Sequence, residues 1–100
     1  MKKETIPEAE LLEKIRDARA QVTFGGRYVH YKKPDDYYIV QGFAIIESTG
    51  SAGVIYQAQF GERLTFIRPL SSWLAEVESH GKKVARFSEV TVNEDGEISG

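Results

Sequence analysis

The sequence contains no cysteine. That excludes disulfides, thiol catalysis and cysteine-ligated zinc, and it fits the reducing cytoplasm, the expected location. There are only two histidines, His30 and His80. They show neither His-x-His nor His-x-x-x-His spacing, so no metal site is expected. No run approaches the ~20 apolar residues of a membrane span. The opening "MKKETIPEAELLEKI" has two lysines but lacks the apolar stretch of a secretory signal. Membrane insertion and export are therefore not expected. The serine-rich "STGSAG" lacks the Gly-Lys-Ser/Thr of a phosphate loop and joins two strands. No nucleophile with a recognisable base partner stands out. Neither a cofactor nor an enzymatic activity is expected, although His30 remains the one candidate acid–base group.

What is present suits one domain. A chain of 100 residues buries roughly two-thirds of its unfolded surface and holds one modest core. Eleven aromatic residues supply apolar area to offset the entropy of ordering, so the chain is expected to fold. The formal net charge is −2, which argues against a nucleic-acid surface of high charge density. The charge is unevenly spread. Residues 27–86 carry eight Lys/Arg and six Asp/Glu, a balance of +2, while the two ends carry five and nine, a balance of −4.

The first segment has a helical pattern. Leu11, Ile15, Ala18 and Val22 fall on one face, with Leu12 widening the stripe. Thr5 and Glu8 have capping-box spacing, and Pro7 suits a first turn. A helix is predicted over about residues 6–20, stopped by Gly25 and Gly26. The middle alternates and is rich in β-branched and aromatic residues. "YVHYK" reads as a strand, "KPDD" as a turn, "YYIVQGFAIIE" as a long strand, "STGSAG" as a loop, "VIYQAQF" as a strand, "GER" as a tight turn and "LTFIR" as a strand. Leu70, Trp73, Leu74 and Val77 have helical spacing, so a short helix is predicted near residues 71–77. "SHGKK" reads as a loop, "VARFSEV" as a last strand, and residues 93–100 as a flexible tail.

The expected fold is therefore mainly β: an antiparallel barrel of about five strands over residues 25–92, preceded by a helix within residues 1–24. Closure would remove exposed strand edges. An open sheet covered by the N-terminal helix is the alternative.

The segments "GRYVHYKK", "YYIVQGFA", "VIYQAQFGE", "TFIRPLSSWLAEV" and "GKKVARFSEV" resemble the small bacterial family catalogued as domain of unknown function 1653. The resemblance is carried by Gly26, Tyr28, His30, Tyr31 and Lys32. It continues through Tyr38 and Val40, then Ile55 and Tyr56 with Phe60 and Gly61. It ends with Arg68, Pro69, Leu70 and Trp73, and with Arg86 beside Phe87. It implies an SH3-like small barrel over about residues 26–90 and implies no activity. This chain departs where family members often carry a second histidine; Ile46 stands there, in "IEST". Any role of that histidine does not transfer.

Three groups form the candidate ligand-binding surface. Tyr28, His30 and Lys32 alternate onto one strand face. Arg68 and Arg86 lie inside apolar strands, where a charge needs a partner; Glu76, Glu78, Asp35 and Asp36 are the expected acidic partners. Tyr38, Tyr56 and Trp73 add aromatic surface. The expected role is a binding or adaptor module that takes a protein or peptide through its aromatics. RNA or a small anion, held by Arg27, Lys32, Lys33, Arg68 and Arg86, is the alternative. The chain is expected to be a monomer or a homodimer.

Overall fold

The structure, a computed structural model, describes residues 6–99. The N-terminal helix α1 runs Glu8–Gln21, with Glu8 and Glu10 in its first turn and Arg19 in its last, an arrangement that complements the helix dipole. Pro7 precedes it as the N-cap residue, with no side-chain cap. Thr5 of the expected capping box lies outside the described residues. Ala18 and Val22 of the predicted stripe are buried, Leu11 and Ile15 are half-buried, and Leu12 is exposed.

Among the described residues eight strands follow, not five: β1 (Arg27–His30), β2 (Lys33–Ile46), β3 (Ser51–Ala58) and β4 (Thr65–Pro69), then helix α2 (Leu70–Leu74), then β5 (Glu76–Ser79), β6 (Lys82–Ala85), β7 (Phe87–Val92) and β8 (Ile98–Ser99). Six of them form one antiparallel sheet in the order β4-β3-β2-β1-β7-β8, and β5 pairs only with β6. Helix α1 packs against β2 and β3. Among the described residues the sheet does not close, so the expected barrel is corrected to an open sheet with β4 and β8 as its edges. The reason lies in the segment after β4, which pairs with itself instead of returning to that edge.

That segment also corrects the predicted helix over 71–77. α2 stops at Leu74, because Ala75 is extended (φ −65°, ψ 145°) and its N–H returns to the Ser72 carbonyl. Val77 then faces Val84 in the β5–β6 hairpin. The expected "SHGKK" loop is a two-residue turn with positive φ at His80 (52°) and Gly81 (79°). Those dihedrals match the turn whose twist fits a hairpin. Arg86 interrupts the predicted last strand and splits it into β6 and β7.

Three further boundaries differ from expectation. The β1–β2 turn falls on Tyr31 and Lys32, and "KPDD" begins β2. Pro34 has no N–H to give the ladder, and the register shifts between the Tyr28–Tyr38 and His30–Lys33 pairs. The "STGSAG" loop shrinks to a turn, since Ser51, Ala52 and Gly53 already pair with β2. The expected flexible tail folds back: Val92 pairs with Ile98, and the Asn93 side-chain oxygen accepts from the Asp95 and Glu97 N–H groups.

The core is aromatic. Tyr28, Tyr56, Trp73 and Phe87 are buried with Val22, Val40 and Val54. Trp73 stacks on Phe87 at 3.8 Å with 4° between the planes, while Tyr28 and Tyr56 meet it edge-on at 5.2 and 4.9 Å. Gly26 is needed beside it, because a Cβ there would lie 3.0 Å from the Thr23 carbonyl and the Tyr28 ring. Truncating Trp73 to alanine should cost about 3–5 kcal/mol, the range for an emptied large aromatic site. Urea denaturation would measure it; a cost below about 1 kcal/mol would mean that the stack does not hold the core together.

Candidate basic and aromatic depression

The strand pairing brings cations and rings to one end of the sheet. His30 lies opposite Phe87 across β1 and β7. Tyr56 lies opposite Phe66, and Val54 opposite Arg68, across β3 and β4. Directly opposed residues share a face, so Phe66 and Arg68 point to the side that holds Tyr56. The result is a depression of about 360 Å³ lined by His30, Lys32 and Lys33 from the β1–β2 corner, Tyr38 and Tyr56 from the middle strands, and Phe66, Arg68 and Phe87. None of these lining residues is acidic. A larger depression of about 460 Å³, between Pro34, Asp35 and the β7–β8 hairpin, contains no cation and no aromatic ring.

Arg68 is held by neutral groups. Its Nε donates to the Tyr56 hydroxyl at 3.3 Å, one terminal nitrogen donates to Ser72 Oγ at 2.9 Å, and the guanidinium carbon lies 5.4 Å from the centre of the Phe87 ring. A guanidinium has five N–H donors, so most of its capacity is uncommitted. None of the expected acidic partners reaches it: among the described residues the one ion pair joins Arg16 and Glu13, on the exposed surface of α1. Arg86 is held similarly, its Nε donating to the Ser72 carbonyl at 3.0 Å. Its backbone also ties the Ala75 carbonyl and the Tyr31 N–H. Arg86 thus braces α2 against the β1–β2 corner and stays behind the lining.

His30 is the titrating group of the site. Its Nδ1 accepts the Lys32 backbone N–H at 3.1 Å, and its ring meets Phe87 edge-on at 5.0 Å. This contact leaves Nε2 as the protonated nitrogen of the neutral ring. Its pKa is held below the ordinary value, first by burial and then by the positive charges of Arg68, Arg86 and Lys32. The Tyr38 phenol is pushed up, first by burial and then by Tyr56 and Asp36, so it stays neutral. Lys33 caps the rim, with Nζ 4.5 Å from the Phe60 ring centre.

The sequence-derived candidates therefore divide. His30, Lys32, Tyr38, Tyr56 and Arg68 converge on the depression. Tyr28 and Trp73 do not: they are 6% and 2% exposed, and the Tyr28 hydroxyl accepts the Thr23 N–H at 2.9 Å. Both are core residues with no surface for a ligand. The alternation placing Tyr28 beside His30 and Lys32 breaks at the register shift in β1 and β2. Lys33, expected only for the RNA or anion alternative, joins the lining, and Phe66 and Phe87 join it without having been among the candidates. Their signal is the strand register, which the linear sequence does not print.

His30 makes the site pH-dependent. The unfolded chain takes up a proton at His30 near pH ~6.5, whereas the folded chain takes it up only at lower pH. The histidine's contribution to stability is thus complete above that value and lost as pH falls through the window below it. The His30 ring protons should titrate in NMR with a midpoint below ~6.5, and His30→Gln should remove the corresponding loss of stability. A midpoint at or above the ordinary value would overturn this.

The comparisons agree with the resemblance. No curated protein matches the sequence significantly. A crystal structure of a DUF1653 family protein from Bordetella bronchiseptica is similar to this chain, with a TM-score of 0.55 and 27% identity over 64% of this chain and 82% of that one. The sequence profile of the family described as "Protein of unknown function (DUF1653)" matches residues 26–89, from the turn before β1 into β7. The chain belongs to that family, and α1 lies outside the matched segment.

Proposed function

We propose that this chain is a binding module whose ligand presents a negative charge beside an apolar or planar group, and that the basic and aromatic depression receives it. The observation that carries this reading is Arg68: half-buried, oriented by Tyr56 and Ser72, stacked near Phe87, and without a carboxylate partner among the described residues. Lys32, Lys33 and His30 add positive or protonatable groups on the opposite wall. A charge on an apolar floor is under-solvated, and an arriving anion offsets that cost with charge-assisted hydrogen bonds. Binding is favoured over catalysis because His30 spends Nδ1 on a backbone N–H and, among the described residues, has no carboxylate to orient it.

The finer fold assignment supports the same reading. The order β4-β3-β2-β1-β7, with α2 inserted after β4, supports reading the sheet as an SH3-like meander left open. Such folds use rim aromatics to receive extended ligands.

Titration of the protein with inorganic pyrophosphate at low salt, followed by NMR, tests the proposal. Backbone shifts should cluster at His30, Lys33, Arg68 and Phe87 and weaken as salt screens the charges. Arg68→Ala should lower affinity about tenfold or more, since a hydrogen bond to a charged group contributes about 1.5–3 kcal/mol. An absence of shifts at low salt, or shifts centred elsewhere, would overturn it.

A further inference from the structure

We infer that the ligand of this depression is an extended acidic segment of a partner protein, added as a strand to the free edge of β4. The inference rests on the anion-binding reading above and names the class of partner. β4 is the terminal strand of the six-stranded sheet. Leu64, Phe66 and Ile67 are 59%, 41% and 52% exposed, and Thr65 is exposed as well. A charge and a proline ordinarily protect such an edge; in β4 these are Arg68 and Pro69 at its end, which leaves the stretch from Leu64 to Ile67 without either.

The register shows which backbone groups are available. The Ala58 N–H donates to the Leu64 carbonyl, and Phe66 and Arg68 lie opposite Tyr56 and Val54. Hydrogen-bonded pairs alternate along an antiparallel ladder, so Phe66 and Arg68 turn their N–H and C=O groups toward β3. Thr65 and Ile67 turn theirs outward. An incoming strand bonds to those outward groups. Its side chains on the inner face then lie beside Phe66 and Arg68, the two residues that form the β4 wall of the depression. The edge thus supplies main-chain affinity, and the depression selects for acidic side chains.

Charge and exposure separate this occupant from the others. A second copy would present its own β4 segment, where residues 62–69 carry Arg63 and Arg68 against Glu62 alone, and bring positive charge to a positive wall. Single-stranded RNA needs exposed ring faces for successive bases. Tyr56 and Phe87 are 5% and 7% exposed, which leaves Phe66 as the one well-exposed ring in the lining.

The test is amide hydrogen exchange on the full chain with a synthetic peptide of about eight residues, ordinary strand length, alternating valine and glutamate. Binding should protect the Thr65 and Ile67 amides, while those of Phe66 and Arg68 are already protected in the free protein. Ile67→Pro removes one outward N–H and leaves the β3 ladder intact. It should weaken peptide binding at least tenfold and leave pyrophosphate binding unchanged. As a control on folding, a peptide N-methylated along its edge-facing side should fail to bind the unmodified protein. Arg68→Ala should weaken both ligands. Retained pyrophosphate binding without protection of Thr65 and Ile67 at millimolar peptide overturns the strand addition alone; loss of both kinds of binding overturns the anion site too. Tighter binding of oligouridylate than of peptide, or concentration-dependent protection of the same amides without peptide, overturns it in favour of RNA or of a second copy.

Discussion

The face-to-face contact of Trp73 with Phe87 is the interaction on which the remaining architecture depends. It joins α2, a helix of only five residues, to β7, which lies across β1 from the long β2–β3 pair. So short a helix has no stability of its own in water. Its position comes from burying Trp73 among Tyr28, Tyr56 and Phe87, all of which meet the indole within 5.2 Å. Burial of large rings in specific offset and edge-on geometries contributes more than area alone.

The site follows from that placement. Once α2 is seated, Ser72 offers its hydroxyl to Arg68 and its carbonyl to Arg86. Two arginines that would each be costly inside apolar strands are satisfied by neutral oxygens. Neither is neutralised, so their charge persists and, after burial, adds to what holds the His30 pKa down. The use of hydroxyl and carbonyl acceptors keeps a basic wall over an aromatic floor.

Parts of this were legible in the sequence for definite reasons. The stripe of α1, the turn residues at Gly25 and Gly26, and the β-rich middle each depend on local periodicity, and they appear where expected. His30, Arg68 and Tyr56 were identifiable as candidates because a charge or a phenol in an apolar strand requires an explanation. What local pattern misassigned were places where two periodicities compete. Leu70, Trp73, Leu74 and Val77 have helical spacing, yet Val77 is better served by Val84 in a hairpin. "KPDD" has turn composition, yet the turn forms one step earlier and Pro34 only disturbs the ladder register.

The sequence by itself determined the N-terminal helix, the β-rich middle and the absence of thiol chemistry, because those depend on residue identity and near-neighbour spacing. Only the tertiary structure decided that the sheet stays open, that Tyr28 and Trp73 are structural, and that Lys33, Phe66 and Phe87 join His30 and Arg68. Register is the reason. A shift of one residue sends every side chain of a strand to the other face, and the pairing across strands, with its shifts at Tyr28–His30 and at Val40–Gly42, cannot be read from the order of residues within one strand.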